Sequence, residues 1–349
     1  MNLPQVIDEL DAIGTPSISE PLIITPTSKV INENWDFDSA PQQFHDEEAL
    51  QFTFPIPMPE PVSLWRPPLY DVPWALAPFD HFYFVRPIAA DEVNWPLPNY
   101  RYGGIFSGTE IVHTGIDIPA PRGTLVQSAG VGEVVWTGYG VYYGGNNSDD
   151  PYGLAVTIKH DFGYQGRRLY TIYAHLDRID VINGQQVEIG TPLGIVGMTG
   201  NTTGPHLHFE VRIEDNSFYS SRNPELWLVP PQEWGVLVGQ LRNTNGSFLT
   251  EQVVKIRSID TNNQWYVISY GHHIVNRDEY FQENLVLGDL PAGYYEISID
   301  YLGDIFRYHL NIFPGAITYF TFRGEYGFGD PSPPSISQPE VYENIFTNN

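Results

Sequence analysis

Apolar residues along this chain recur with a period of two rather than a helical period. Between 206 and 213 the alternation is strict. Leu207, Phe209, Val211 and Ile213 fall on one side, His206, His208, Glu210 and Arg212 on the other, which predicts a strand with two dissimilar faces. Similar short runs at 82–85, 132–136, 154–158 and 169–173 are punctuated by Gly138, Gly140, Gly153, Gly163 and Gly166 and read as strands joined by turns. A later group at 236–241, 253–256, 265–269, 294–299, 306–312 and 317–322 predicts six or seven strands of a small antiparallel sandwich.

The fold class expected is therefore all-β, with a mostly antiparallel domain at 76–230 and a β-sandwich at 235–325. Residues 1–75 are expected to form an acidic, Pro-rich extended or disordered segment, and 326–349 a flexible tail. Within the first 60 residues Lys29 is the only lysine or arginine. Such a stretch buries too little apolar surface to offset its chain entropy. Yet Phe52, Phe54, Trp65 and Trp74 are unusual in a spacer, so from about residue 50 the chain is expected to lie along a folded part.

Composition narrows the function. The formal charge of −25 over 349 residues leaves no basic footprint for nucleic acid. It also disfavours anionic membranes and anionic wall polymers; solubility is the ordinary role of such acidity. With no cysteine, disulfides and thiolate ligands are excluded, so any metal must use imidazole and carboxylate. No run of about 18 apolar residues occurs, and no transmembrane segment is expected. The first residues lack the basic and apolar regions of a leader.

Chemistry concentrates in three short stretches. His206 and His208, two apart, place their imidazoles on one strand face roughly 7 Å from each other. One can then hold a metal while the other reaches substrate; the structural alternative is a solvated polar face. His113 and Asp117 stand four apart, but Gly115, Ile116 and Pro119 oppose a helix. A straight strand would separate them by roughly 13 Å, so a bend near Thr114-Gly115 is needed for them to converge. His175, at the end of a strand, suits acid–base work because imidazole titrates near neutrality. Two imidazoles and one carboxylate leave a fourth tetrahedral position open, the arrangement of catalytic rather than structural zinc.

These stretches, His113-Thr114-Gly115-Ile116-Asp117-Ile118, Tyr173-Ala174-His175-Leu176 and Thr203-Gly204-Pro205-His206-Leu207-His208-Phe209-Glu210, resemble the lysostaphin-type zinc endopeptidases, which cleave peptidoglycan cross-bridges. The resemblance covers about residues 100–215. It implies one Zn2+ per chain held by His113, Asp117 and His208, with His175 and His206 as the unligated catalytic pair. It further implies a narrow groove walled by loops, for which Tyr142, Tyr143 and Thr203 are candidates. Peptidoglycan peptides are the partner implied, acted on by a monomer at the cell envelope or outside the cell, with a leader beyond this numbering. Some members of the family have lost ligands, so a non-catalytic wall-binding or amidase-activating module is the alternative; here every matched position is filled.

The stretch Gly288-Asp289-Leu290-Pro291-Ala292-Gly293-Tyr294-Tyr295 resembles carboxypeptidase-regulatory-like or transthyretin-like sandwich domains. It implies a spacer or binding module. The remaining histidines, His45, His81, His160, His272, His273 and His309, are expected to be surface or packing residues.

Overall fold

The computed structural model describes residues 68–88, 100–105, 112–271 and 276–329. The expected extended segment before residue 68, the tail beyond 329, and His45, His272 and His273 lie outside the described residues. Within them the chain is built from strands and short 3-10 turns, and no helix is long and apolar enough to cross a membrane.

The first sheet comprises β1 (Ile116–Pro119), β2 (Leu125–Gln127), β3 (Gly132–Gly138), β4 (Leu154–Tyr164), β5 (Arg167–Ile179), β6 (Gln186–Val187), β7 (Pro192–Val196), β8 (His206–Ile213) and β9 (Ser221–Arg222). Its main path runs β1-β8-β5-β4-β3-β6, with β7 bonded to β2 and β5, and β9 to β8. All of these pairs are antiparallel. Register does the positioning: Asp117 on β1 faces His208 on β8, and His208 faces Ala174 on β5.

Strand β8 is buried on both faces. Leu207, Phe209, Val211 and Ile213 enter the main core with Ile116, Ile118 and Tyr173. The opposite face is therefore not solvated, and its polar side chains must satisfy one another.

The second group of strands is β10 (Trp234–Arg242), β11 (Val253–Ser258), β12 (Gln264–Ile268), β13 (Leu285–Pro291), β14 (Gly293–Tyr301), β15 (Asp304–Ile312) and β16 (Ile317–Arg323). A three-stranded sheet, β13-β10-β16, and a four-stranded sheet, β12-β11-β14-β15, close on a core that includes Leu237, Leu241, Ile256, Ile297, Leu310 and Phe320. The expected antiparallel sandwich needs one correction, because β10 and β16 run parallel. They are separated by the whole length of the module, which leaves ample chain for a crossover. Val236 and Val238, on the other side of β10, join the main core beside Phe281 and Tyr319. Burial on both sides explains the unbroken apolar run in this strand.

Residues 68–88 run along both groups in extended form. Trp74 stacks on Tyr70 and donates to the Gly315 carbonyl at 2.8 Å, while Phe84 and Ile88 bridge to Leu228 and Val126. The expected strand at 82–85 is thus a series of isolated bridges, whose buried rings Phe82 and Phe84 account for its strand-like pattern.

Candidate metal centre

Gly115 makes the bend that lets β1 approach β8 from above. A Cβ at this position would lie 2.4 Å from the Phe209 carbonyl oxygen and 2.9 Å from the His208 ring, so only glycine fits. His113, just before the bend, and Asp117, on β1, thereby meet His208. His113 Nε2 lies 2.9 Å from Asp117 Oδ1 and 3.0 Å from His208 Nδ1, and His208 Nδ1 lies 2.8 Å from the same carboxylate oxygen. One candidate donor atom from each of the three residues falls within 4.8 Å of the others.

The far nitrogens decide which lone pairs face inward. His113 Nδ1 is 3.0 Å from the Arg101 carbonyl, which can only accept, so it carries the proton and Nε2 is left bare toward the cluster. His208 Nε2 donates to Glu210 Oε1 at 3.0 Å and, with no ion present, Nδ1–H donates to Asp117 at 2.8 Å; a cation that displaced this proton would find the Nδ1 lone pair turned to the cluster. Three acceptor atoms then point at one place. Burial alone would lower the His208 imidazole, yet its hydrogen bonds to Asp117 and Glu210 win and raise it to about 9. Burial would likewise raise the Asp117 carboxyl, but His113 and His206 hold it well below the usual range. The site is thus a locus for positive charge, and its two-imidazole, one-carboxylate donor set fits a borderline cation such as zinc.

His175 and His206 flank the three. His175 occupies a bulge in β5 with φ of +62°, a conformation rare outside glycine and common at functional positions. Its amide donates to the Tyr152 carbonyl at 2.9 Å and its Nδ1–H to the Thr199 carbonyl at 2.9 Å. The ring centres of His175 and His206 are 4.7 Å apart, and His206 Nδ1–H donates to the Gly204 carbonyl at 2.8 Å. Both Nε2 atoms are left toward the cluster, His206 Nε2 standing 3.6 Å from Asp117. Burial, reinforced by His206 and His208, lowers His175 to about 3, so it is neutral near pH 7. All five residues are 4–7% exposed.

The structure therefore brings together every motif residue singled out from the sequence, and adds some that were not. Glu210 is fully buried and accepts from His208, from Thr114 Oγ1 at 2.6 Å, from Tyr152 at 2.5 Å and from Arg212 Nε at 2.7 Å. Arg212 in turn donates to the Tyr152 hydroxyl at 3.0 Å. Hydrogen bonding of this kind fixes the tautomer and direction of a ligating imidazole. The alternation of β8 pointed to Glu210 and Arg212; nothing local pointed to Tyr152 or to the Arg101 carbonyl.

The groove candidates sit on exposed loops. Tyr142 and Tyr143 are exposed between β3 and β4, their amides both donating to buried Asp150 Oδ2 at 2.8 Å. Tyr142 also packs edge-on against Phe218. Thr203 is exposed between β7 and β8 and hydrogen-bonds Tyr100. His81 and His160 are packing residues, buried against Trp227 and bonded to Val131 and Thr171 respectively.

A comparison with protein families points to the same segment. The model of peptidase family M23 matches residues 111–220. A DD-carboxypeptidase/endopeptidase, Mpg, of Neisseria meningitidis is 38% identical over 129 residues, covering 37% of this chain and 26% of the relative. The peptidoglycan DD-endopeptidase ShyB of Vibrio cholerae is 36% identical over 110 residues, 31% of this chain and 22% of the relative. The match thus spans about a quarter of these relatives' own length. Among solved structures, the catalytic domain of lysostaphin from Staphylococcus simulans is 28% identical, covers 36% of this chain and 86% of that chain, and has a TM-score of 0.31. Because the family model matches the segment that carries the cluster, the chain contains a peptidase family M23 domain.

Proposed function

We propose that this chain is a zinc-dependent endopeptidase hydrolysing peptide bonds in the stem or cross-bridge peptides of peptidoglycan. The observation that carries this reading is the convergence of three inward-facing acceptors, on His113, Asp117 and His208, beside two imidazoles whose Nδ1 atoms are committed to backbone carbonyls. The substrate class is supported by the relatives, of which ShyB is named a peptidoglycan DD-endopeptidase and Mpg a DD-carboxypeptidase/endopeptidase.

In this reading His113 Nε2, Asp117 Oδ1 and His208 Nδ1 hold the ion. Zinc in such a site supplies Lewis acidity, polarising a carbonyl oxygen and lowering the pKa of a coordinated water to about 7. The rest falls to the protein. His175, neutral near pH 7, offers Nε2 as the acceptor that orients the attacking water. A proton taken by His175 or His206 turns that ring into a donor, first to the developing oxyanion and then to the leaving amine. Burial of the cluster excludes competing water and strengthens each of these contacts. Tyr142, Tyr143 and Thr203 wall the groove and select among cross-links. All five groups come from one chain, so the site is complete without a second copy, which is compatible with action as a monomer. A wall substrate places it at the cell envelope or outside the cell.

Fragments released from purified peptidoglycan of defined cross-link type, followed by mass spectrometry with and without a chelator, test the reading. Chelator-sensitive release of cleaved peptides is expected. Binding of walls without any cleavage by zinc-loaded protein would move the assignment to a non-catalytic wall-binding module.

A further inference from the structure

The sandwich is more than an appendage to the M23 domain. His113 depends on residues 101–104 at three points: Arg101 O accepts from its Nδ1–H, Gly104 O accepts from its amide at 2.9 Å, and its own carbonyl accepts from Gly103 N–H at 2.8 Å. That short segment is itself gripped from the other side. Gly271 N–H, just past β12, donates to Gly103 O at 2.8 Å. Tyr270 lies so close to Gly103, whose φ is +80°, that a Cβ there would stand 2.6 Å from its ring. Tyr102 packs edge-on to Tyr270 with ring centres 5.4 Å apart, and its hydroxyl bonds Asn276 O at 3.0 Å and Ser221 O at 3.1 Å. Arg101 pairs with buried Glu225 at 2.5 Å, and Glu225 also accepts from Gly288 N–H on β13 at 2.6 Å. Tyr270 is in turn fixed by Asn223 at 2.9 Å and Glu283 at 3.0 Å.

We propose that the sandwich module orients His113, with Tyr270 the positioning residue that acts through the 101–104 segment. The sandwich supplies the fixed surface against which the carbonyl of Arg101 is aimed, and so sets which imidazole nitrogen is bare. The inference rests on the zinc reading for one of its two readouts only.

The test uses the full chain with Tyr270→Ala, Tyr102→Phe and, as a control, Leu310→Ala, which opens the sandwich core away from the segment. Zinc affinity is measured by competition with a chromogenic chelator, and the His113 tautomer by 15N NMR of the metal-free protein. Tyr270→Ala is expected to weaken zinc binding about tenfold, in line with other groups that orient a ligand, and to mix the His113 tautomers. Tyr102→Phe should shift both in the same direction by less, whereas Leu310→Ala should lower stability and leave both unchanged. If Tyr270→Ala does not fold, Tyr102→Phe carries the test. Should the unaltered chain take up no zinc, the zinc reading fails, and the tautomer alone decides the positioning role. Folded Tyr270→Ala or Tyr102→Phe protein with native zinc affinity and a single native tautomer would overturn the proposal.

Discussion

Two buried polar clusters in this molecule invite comparison. In the M23 domain, His113, Asp117, His175, His206 and His208 lie beneath the surface with acceptor atoms turned toward a common point. In the sandwich, Glu283 is equally buried, yet its oxygens are consumed by Tyr270 and by the Asp278 amide at 2.8 Å, and neighbouring Asn284 bonds the backbone of Leu241 and Leu249. Burial alone does not distinguish a reactive site from a structural one. The direction of the lone pairs does: inward and convergent in the first cluster, spent on the scaffold in the second.

The sharpest way to break this contrast is to remove a convergent acceptor. His208→Ala should abolish stoichiometric zinc uptake and all turnover, because its Nδ1 is one of three donors; equilibrium dialysis against zinc measures it. Retained binding at one ion per chain would show that the donor set is misassigned.

Next in size is His206→Ala. His206 stands beside the set rather than in it, so zinc uptake should survive while kcat falls by about 10²–10⁴-fold, the range for a lost acid–base group. Side-by-side metal analysis and peptide-release rates separate the two. Loss of metal would place His206 among the ligands.

Glu210→Gln should be milder, weakening zinc affinity by about 10–100-fold through the misdirected His208 ring. Chelator competition reads this directly, and native affinity would show that the network orients nothing.

The smallest effect concerns the structural cluster. Burial, and then Asp278, push the Glu283 carboxyl up to about 8, within reach of Tyr270, Tyr319 and Arg277. Since its folded value lies above the unfolded one, Glu283 contributes stability that is fully present below about pH 4.5 and is lost as pH rises through about 8. Glu283→Gln should flatten that slope in denaturant titrations by an amount on the order of a few kcal/mol. An unaltered slope would mean that Glu283 is ionised in the folded protein.

Much of this was legible along the chain, for a definite reason. A strand's period of two is local, so the division of 206–213 into an apolar and a polar face could be read directly, and β3, β4, β5 and most strands of the second group could be placed along the chain from their alternation and turns. β13 was harder to see, because burial on both sides erased its alternation. The parallel pairing of β10 with β16 left no local trace either, since it depends on which distant strands meet. At the site, Gly115 pointed to a bend, whereas Tyr152 sits in a turn-rich loop and gave no sign of its bond to Glu210.

By itself, the sequence determined the chemical inventory: no thiolate, a surplus of carboxylate, and histidines grouped in three motifs on strand-forming segments. Only the tertiary structure decided which nitrogen of each imidazole faces the cluster, because the opposing carbonyls and carboxylates belong to residues up to two dozen positions away, such as Arg101 and Thr199. It also decided that the sandwich reaches the His113 support at all. Composition and periodicity constrain neighbours in the chain, but hydrogen-bond direction is set by neighbours in space.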